Sequence, residues 1–175
     1  MSSAIEGDPL GETELLLAVQ RALLPVPGVL PAARAMSLFG EHAAGWLALA
    51  GIGGAVDRRR RGQWARLGAA AFTAHAASVV IKRVVRRPRP HDPRVRIGVG
   101  TPSSLSFPSS HATSTTAALV MLAGIAGSRA PLAGVPAIMA SRLVLGVHYP
   151  GDVTAGAALG WATAAAIRNR GGEPE

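Results

Sequence analysis

Five apolar runs made of Ala, Leu, Val and Gly, each closed by arginine or proline, leave this chain few ways to fold. They cover Ala43–Val56, Leu67–Val85, Ala112–Gly127, Leu132–Val147 and Val153–Ile167. Only 4% of the residues are aromatic, so the interior must be built from small side chains. Such side chains let helices approach closely in a bilayer, which favours helices over a barrel. With 49% hydrophobic residues and a mean hydropathy of +0.28 over 175 residues, the chain is more apolar than most soluble domains of its size. The expected fold is all-α, an integral membrane helical bundle of about five spanning helices. The first run is short for a bilayer, which needs about 20 apolar residues, unless it starts near Ser37 and carries Glu41 and His42 at the interface.

Ahead of the bundle, Leu15, Leu16, Val19, Leu23 and Leu24 fall on helical spacing, with Glu14, Gln20 and Arg21 elsewhere. This is the pattern of an amphipathic helix lying on the membrane or against the bundle. Pro25, Pro27 and Pro31 then break the chain. The expected organisation is an N-terminal interfacial segment at 1–40, a membrane domain at 41–170 and a polar tail at 171–175. Met1 to Leu10 is acidic and does not resemble a cleavable signal.

The formal net charge is +8, and among the 18 basic residues Lys82 alone is a lysine. The arginines cluster at the ends of apolar runs, at 58–61 and 82–96, where lipid headgroups or a phosphate would meet them. No aromatic residues interleave with them, which argues against a nucleic-acid partner. Arg83, Arg86, Arg87, Arg94 and Arg96 are expected to form a positive collar touching anionic membrane lipids. Cysteine is absent, which excludes a disulfide framework, a zinc-thiolate site and a thiol nucleophile.

Three stretches carry chemistry. Lys82 and Arg89 flank the end of the second run, and together a point charge and a flat bidentate fork suit the oxygens of a phosphate. Ser109 and Ser110 are natural N-caps for the helix that starts at His111, whose free N–H groups would face an anion. There His111 is placed to protonate a leaving oxygen. Arg142 lies within the fourth run, where a charge without a partner is expensive. His148 and Asp152 straddle Pro150 at the entrance to the fifth helix, where the carboxylate can fix the tautomer of the ring and free its other nitrogen for attack. A capping carboxylate beside a surface histidine is the plainer reading of that pair. His75, on the Lys82 face of the second helix, reads best as an interior histidine hydrogen-bonded to a neighbouring helix. An up-down bundle brings all three stretches to one membrane face. No Asp, Glu and His cluster has metal-ligand spacing, so no metal or other cofactor is expected.

Lysine, six residues, then Arg-Pro at Lys82 to Pro90; Pro-Ser-Ser-His at Pro108 to His111; and Ser-Arg, five residues, His, three residues, Asp at Ser141 to Asp152 resemble the three signatures of the type 2 phosphatidic acid phosphatase (PAP2) superfamily. The resemblance implies that His148 is the nucleophile, Asp152 its orienting partner and His111 the acid. It further implies that Lys82, Arg89, Ser109 and Arg142 bind phosphate. Ser110 stands where the family has glycine, which costs little if only its N–H is used and is strained if a positive φ is required. The stretch Phe107 to Thr116 is similar to small actinobacterial members that serve cell-wall arabinan synthesis. That implies a multi-pass plasma-membrane phosphatase acting on a polyprenyl-linked phosphomonoester through a phosphohistidine. Another lipid phosphate as substrate, or an inactive scaffold that keeps the fold, remain the alternatives.

Overall fold

A computed structural model describes Asp8 and residues 10–170. The tail at 171–175 lies outside the described residues, as does the stretch 1–9 apart from Asp8. Among the described residues seven α-helices follow one another: α1 (Thr13–Leu23), α2 (Val29–Gly40), α3 (Ala44–Val56), α4 (Arg61–Val85), α5 (Ser110–Ala126), α6 (Gly134–Val144) and α7 (Pro150–Arg170). Short 3-10 turns at Glu41–Ala43, Arg58–Arg60 and Ala130–Ala133 join some of them. Among the described residues there is no strand, only an isolated bridge between Pro88 and Leu105 in the long α4–α5 connection.

The α5 helix is the hub. Its residues from Ala112 to Met121 are all buried, and it packs against α4, α6 and α7. The α5–α7 seam is tight because α7 offers glycines: a Cβ on Gly156 would stand 2.7 Å from the Ser109 carbonyl oxygen, and one on Gly160 would overlap the carbonyl of Thr113. Ala43, Ala50, Ala70, Ala71, Ala74, Ala117, Ala118 and Ala164 fill much of the principal core, with Trp46 and Leu67 as its larger members. The Trp46 indole N–H donates to Thr115 Oγ1 at 3.0 Å, so one polar group of α5 is satisfied inside that core.

Helix polarity decides where the chemistry sits. Chain order brings the C-terminus of α4, the N-terminus of α5, the C-terminus of α6 and the N-terminus of α7 to one end. The Arg58–Arg60 turn lies at the other end, where Arg60 donates to the Ile125 carbonyl at 2.7 Å. At about 1.5 Å per residue, the 25 residues of α4 separate the two ends by about 37 Å. The stretch Arg58–Val85 is long and apolar enough to cross a membrane, with an 18-residue window of mean hydropathy 1.2.

The structure corrects several sequence expectations. The helix expected from Leu67 begins at Arg61; its end at Val85 is the expected one, capped by Arg86 in a left-handed conformation (φ 55°). The run expected as one helix from Leu132 to Val147 is a 3-10 turn followed by α6, which stops at Val144. Gly146 then turns the chain at φ 69°, where a side chain would also strike the Arg96 carbonyl. The helix α1 is rotated from its expected face: Leu16, Leu17 and Gln20 are buried while Leu15 is exposed. Gln20 is drawn inward because its amide bridges the chain, donating to Arg96 O (2.8 Å) and Val144 O (3.0 Å) and accepting from Arg96 N–H (3.0 Å).

Candidate active site

The shared end of the bundle encloses a cavity of about 280 Å³ lined by Lys82, Arg89, Ser110, His111, Arg142 and His148, with Ser37, Glu41, His42 and His75 completing one wall. Ser109 and Asp152 are fully buried and do not line it. Of the eight catalytic and phosphate-binding residues expected from the sequence, six thus reach the cavity and two lie outside its lining.

Ser109 is the N-cap of α5. Its Oγ accepts from Ala112 N–H at 3.4 Å, while its own N–H donates to the Asp152 carbonyl at 3.0 Å, which joins the α5 start to α7. Ser110 is the first helical residue and has no positive φ, so serine in place of glycine carries no backbone strain. Its Oγ accepts from Ser78 Oγ at 2.8 Å, a contact that glycine could not make.

The ammonium of Lys82 donates to the carbonyls of Pro108 (2.6 Å), Ser106 (2.9 Å) and Leu105 (3.4 Å). Lys82 therefore ties down the chain just before α5 as well as charging the cavity. Arg89 donates through Nε to Ser103 O at 2.7 Å and through Nη1 to Val147 O at 2.6 Å, and burial lowers it to about 10, well above neutral pH. Arg142 is 2% exposed; it donates to Ser37 Oγ at 2.8 Å, and its Nε has no hydrogen-bond partner. Among the described residues no carboxylate pairs with Lys82, Arg89 or Arg142. Three converging basic side chains, none in a direct ion pair with a carboxylate among the described residues, make a candidate anion site.

Two histidines face this charge with defined tautomers. Nη1 of Arg89 lies 3.2 Å from His148 Nε2, and a guanidinium can only donate. Nε2 is therefore the lone-pair nitrogen, and the proton sits on Nδ1, 3.6 Å from Asp152 Oδ2. Burial, then the charges of Arg89, Arg142 and Lys82, hold the His148 ring well below its usual pKa, so it is neutral. In His111, Nε2 lies 2.9 Å from the Ser37 carbonyl oxygen, which can only accept, so Nε2 carries a proton and Nδ1 is the other protonation site.

Other expectations change. Arg87, assigned to the lipid collar, is instead turned inward, with its side chain 9% exposed and in salt bridges to Asp152 and Glu12. Arg94 pairs with Asp92 and Glu14, each at 2.8 Å. His75 does not make the expected bond through Nδ1, which lacks a partner among the described residues; its ring lies 5.9 Å from that of His42. Ser37 escaped notice in the sequence because its carbonyl does half the work, and a carbonyl leaves no trace in residue identity. No group of three or more His, Asp and Glu side chains among the described residues is placed to hold a metal ion. The basic side chains available to an anion are Lys82, Arg89 and Arg142, with Arg83 also in the lining.

Residues 63–171 match the model of the PAP2 superfamily. The chain belongs to that superfamily. Its PAP2 relatives include a decaprenylphosphoryl-5-phosphoribose phosphatase of Mycolicibacterium smegmatis, 60% identical over 148 residues that cover 85% of this chain and 82% of that protein. A Mycobacterium tuberculosis protein of the same name is 50% identical over 167 residues, covering 95% and 94%. The crystal structure of a transmembrane PAP2 type phosphatidylglycerolphosphate phosphatase from Bacillus subtilis superposes with a TM-score of 0.69 over 91% of this chain and 85% of that one. At 21% identity this likeness speaks for the fold. This PAP2 member is a membrane phosphatase with an all-helical fold.

Proposed function

We propose that the protein hydrolyses the 5-phosphate of a decaprenylphosphoryl-5-phosphoribose, the substrate named for its relatives, as a multi-pass enzyme of the plasma membrane. The observation that carries the phosphatase chemistry is the convergence of Lys82, Arg89 and Arg142, none directly ion-paired to a carboxylate among the described residues, around the neutral, oriented His148. Multiple crossing is supported by large apolar side chains on the outer surface of several helices: Ile52 and Val56 on α3, Phe72, Val80 and Val84 on α4, and Trp161 on α7 are all at least half exposed.

The phosphate monoester enters the cavity with its oxygens facing Arg89, Arg142 and Lys82 and the N-terminal N–H groups of α5 at Ser110. Its arrival takes the Arg89 donor away from His148 Nε2, whose lone pair then forms the N–P bond as the P–O bond to the ribose breaks. His111, protonated on Nδ1, gives that proton to the departing oxygen. The positive charge that develops on the His148 ring is met by Asp152 through Nδ1–H. In the second half, His111 takes a proton from water, the water oxygen bonds to phosphorus, and the N–P bond breaks to release phosphate and restore both rings. The same cations stabilise the charge spread over the equatorial oxygens in both steps.

The test is phosphate release by purified protein and its His148→Ala form from a panel holding a polyprenylphosphoryl-5-phosphoribose, a polyprenyl pyrophosphate, phosphatidylglycerophosphate and phosphatidic acid, each with excess chelator. Preference for the sugar phosphate, lost in His148→Ala and retained with chelator, supports the proposal. Preference for another lipid overturns the substrate. Equal activity of the two forms, an absolute need for a divalent metal, or no activity on any of the lipids overturns the mechanism.

A further inference from the structure

The carboxylate of Asp152 has a second, unassigned neighbour. Its Oδ2 accepts the Tyr149 N–H at 2.8 Å and faces His148, whereas Oδ1 accepts from Arg87 Nη1 at 3.1 Å. Arg87 occupies an unspecified position between Lys82 and Pro90. Its guanidinium lies 4.1 Å from the centre of the Tyr149 ring, and Nη2 donates to Glu12 Oε2 at 2.7 Å and stands 3.6 Å from Asp8 Oδ1.

Glu12 is itself anchored, since its other oxygen accepts the N–H of Gly151 in the first turn of α7. Asp8 accepts from Glu12 N–H (2.8 Å), Thr13 N–H (2.8 Å) and Thr13 Oγ1 (2.6 Å), fixing the start of α1. The N-terminal segment and the last helix therefore grip one guanidinium from two sides.

We infer that Arg87 is a positioning residue for the reaction, acting through Asp152 and held in place by Glu12. Without Arg87, this fully buried carboxylate would keep only the Tyr149 N–H and the nearby Ser106 hydroxyl, and it would either take up a proton or rotate to find another partner. Either change removes the negative oxygen that stands 3.6 Å from His148 Nδ1. With Arg87 on Oδ1, the carboxylate keeps its charge and keeps Oδ2 turned to the ring. Glu12 and Asp8 in turn draw the guanidinium away from full pairing with Asp152, so the carboxylate retains negative charge for the developing imidazolium. Arg87 does not line the cavity that Lys82, Arg89 and Arg142 face, so substrate affinity should depend little on this chain of contacts.

The inference rests on the proposed roles of His148 and Asp152, and the test separates the two. Steady-state rates, rapid-quench phosphoenzyme and vanadate affinity are measured on full-length Arg87→Gln, Arg87→Lys, Glu12→Gln and the double variant Glu12→Gln/Arg87→Gln. Arg87→Gln should lower kcat by about 10–100-fold, the range for loss of an orienting partner, with KM and vanadate affinity within about twofold of wild type. The acid limb of its kcat profile should move to higher pH, because Asp152 then protonates more easily, and Arg87→Lys should recover part of both effects. Glu12→Gln can still accept from Gly151 N–H, so its loss should be absorbed in the double variant, which should be no slower than Arg87→Gln. Wild-type kcat in Arg87→Gln, an unmoved acid limb, a KM rise matching the kcat fall, or a double variant showing the product of the single losses would each overturn the inference. If Arg87→Gln does not fold, the acid limbs of Arg87→Lys and Glu12→Gln decide: displacement supports it and coincidence with wild type overturns it. Failure of wild-type protein to form a phosphoenzyme would instead remove the roles of His148 and Asp152.

Discussion

Gly40 lies directly beneath the ring of His111: a methyl group added to its Cα would come within 2.8 Å of His111 Cδ2. The last residue of α2 thus sets how far the imidazole can sink towards the Ser37 carbonyl. Gly40→Ala should push the ring off that carbonyl and misplace its Nδ1. Because general acid catalysis contributes about 10²–10⁴-fold, activity on an alkyl or sugar phosphate should fall by at least about tenfold. A nitrophenyl phosphate, whose leaving group needs no proton, should be hydrolysed at a rate much closer to wild type. Equal losses on both substrates would show that the glycine matters only for folding.

The two histidines should separate in the same comparison. His148→Ala is expected to abolish turnover on either substrate and leave no acid-labile phosphate on the protein after rapid quench. His111→Ala should still be phosphorylated by the nitrophenyl ester, and Asp152→Asn should fall between them. If His111→Ala is the variant that cannot be phosphorylated, nucleophile and acid are exchanged.

The His148 ring should resist protonation. Its pKa is depressed by burial and by neighbouring cations, so the neutral form persists below the pH at which an ordinary histidine gains its proton. In ligand-free protein, the His148 ring resonances, assigned by comparison with His148→Ala, should show no titration between pH 8 and 6. Arg89→Gln removes the nearest cation, so it should bring the midpoint upwards. A wild-type midpoint near 6.5 would show that the ring is solvated.

Gly160→Ala tests the seam between α5 and α7. Alanine favours a helix interior over glycine by about 1 kcal/mol, whereas overpacking against a rigid neighbour costs about 1–3 kcal/mol. The neighbour here is the backbone carbonyl of Thr113, which no rotamer change can move. A lowered Tm in detergent is expected, and an unchanged or raised Tm would mean that the seam has slack.

Most of the site could be read from residue types and spacing because its members lie at helix ends, where proline and cap residues mark the chain. Arg142 was legible as a charge stranded in an apolar run, and His148 and Asp152 as a pair across Pro150. Arg87 was not, since nothing local distinguishes it from Arg86, which is exposed; its inward turn depends on Glu12, 75 positions earlier. Gln20 misled for the same reason: a polar residue on an amphipathic helix reads as solvent-facing until its carbonyl partners at Arg96 and Val144 are known. Helix ends drifted where backbone conformation decides, as before Gly146, whose φ of 69° follows a helix that stops at Val144 rather than Val147.

The contacts that complete the cavity join residues very far apart in the chain: Arg142 reaches Ser37 across 105 positions, and Gly151 reaches Glu12 across 139. A ribosome that has delivered α1 to α6 has therefore made every cation of the site and still lacks His148, Asp152 and the clasp on Arg87. On the mechanism proposed above, hydrolysis can begin only once Asp152 and α7 have been made. The onset of phosphate release during synthesis would then report that α7 is in place.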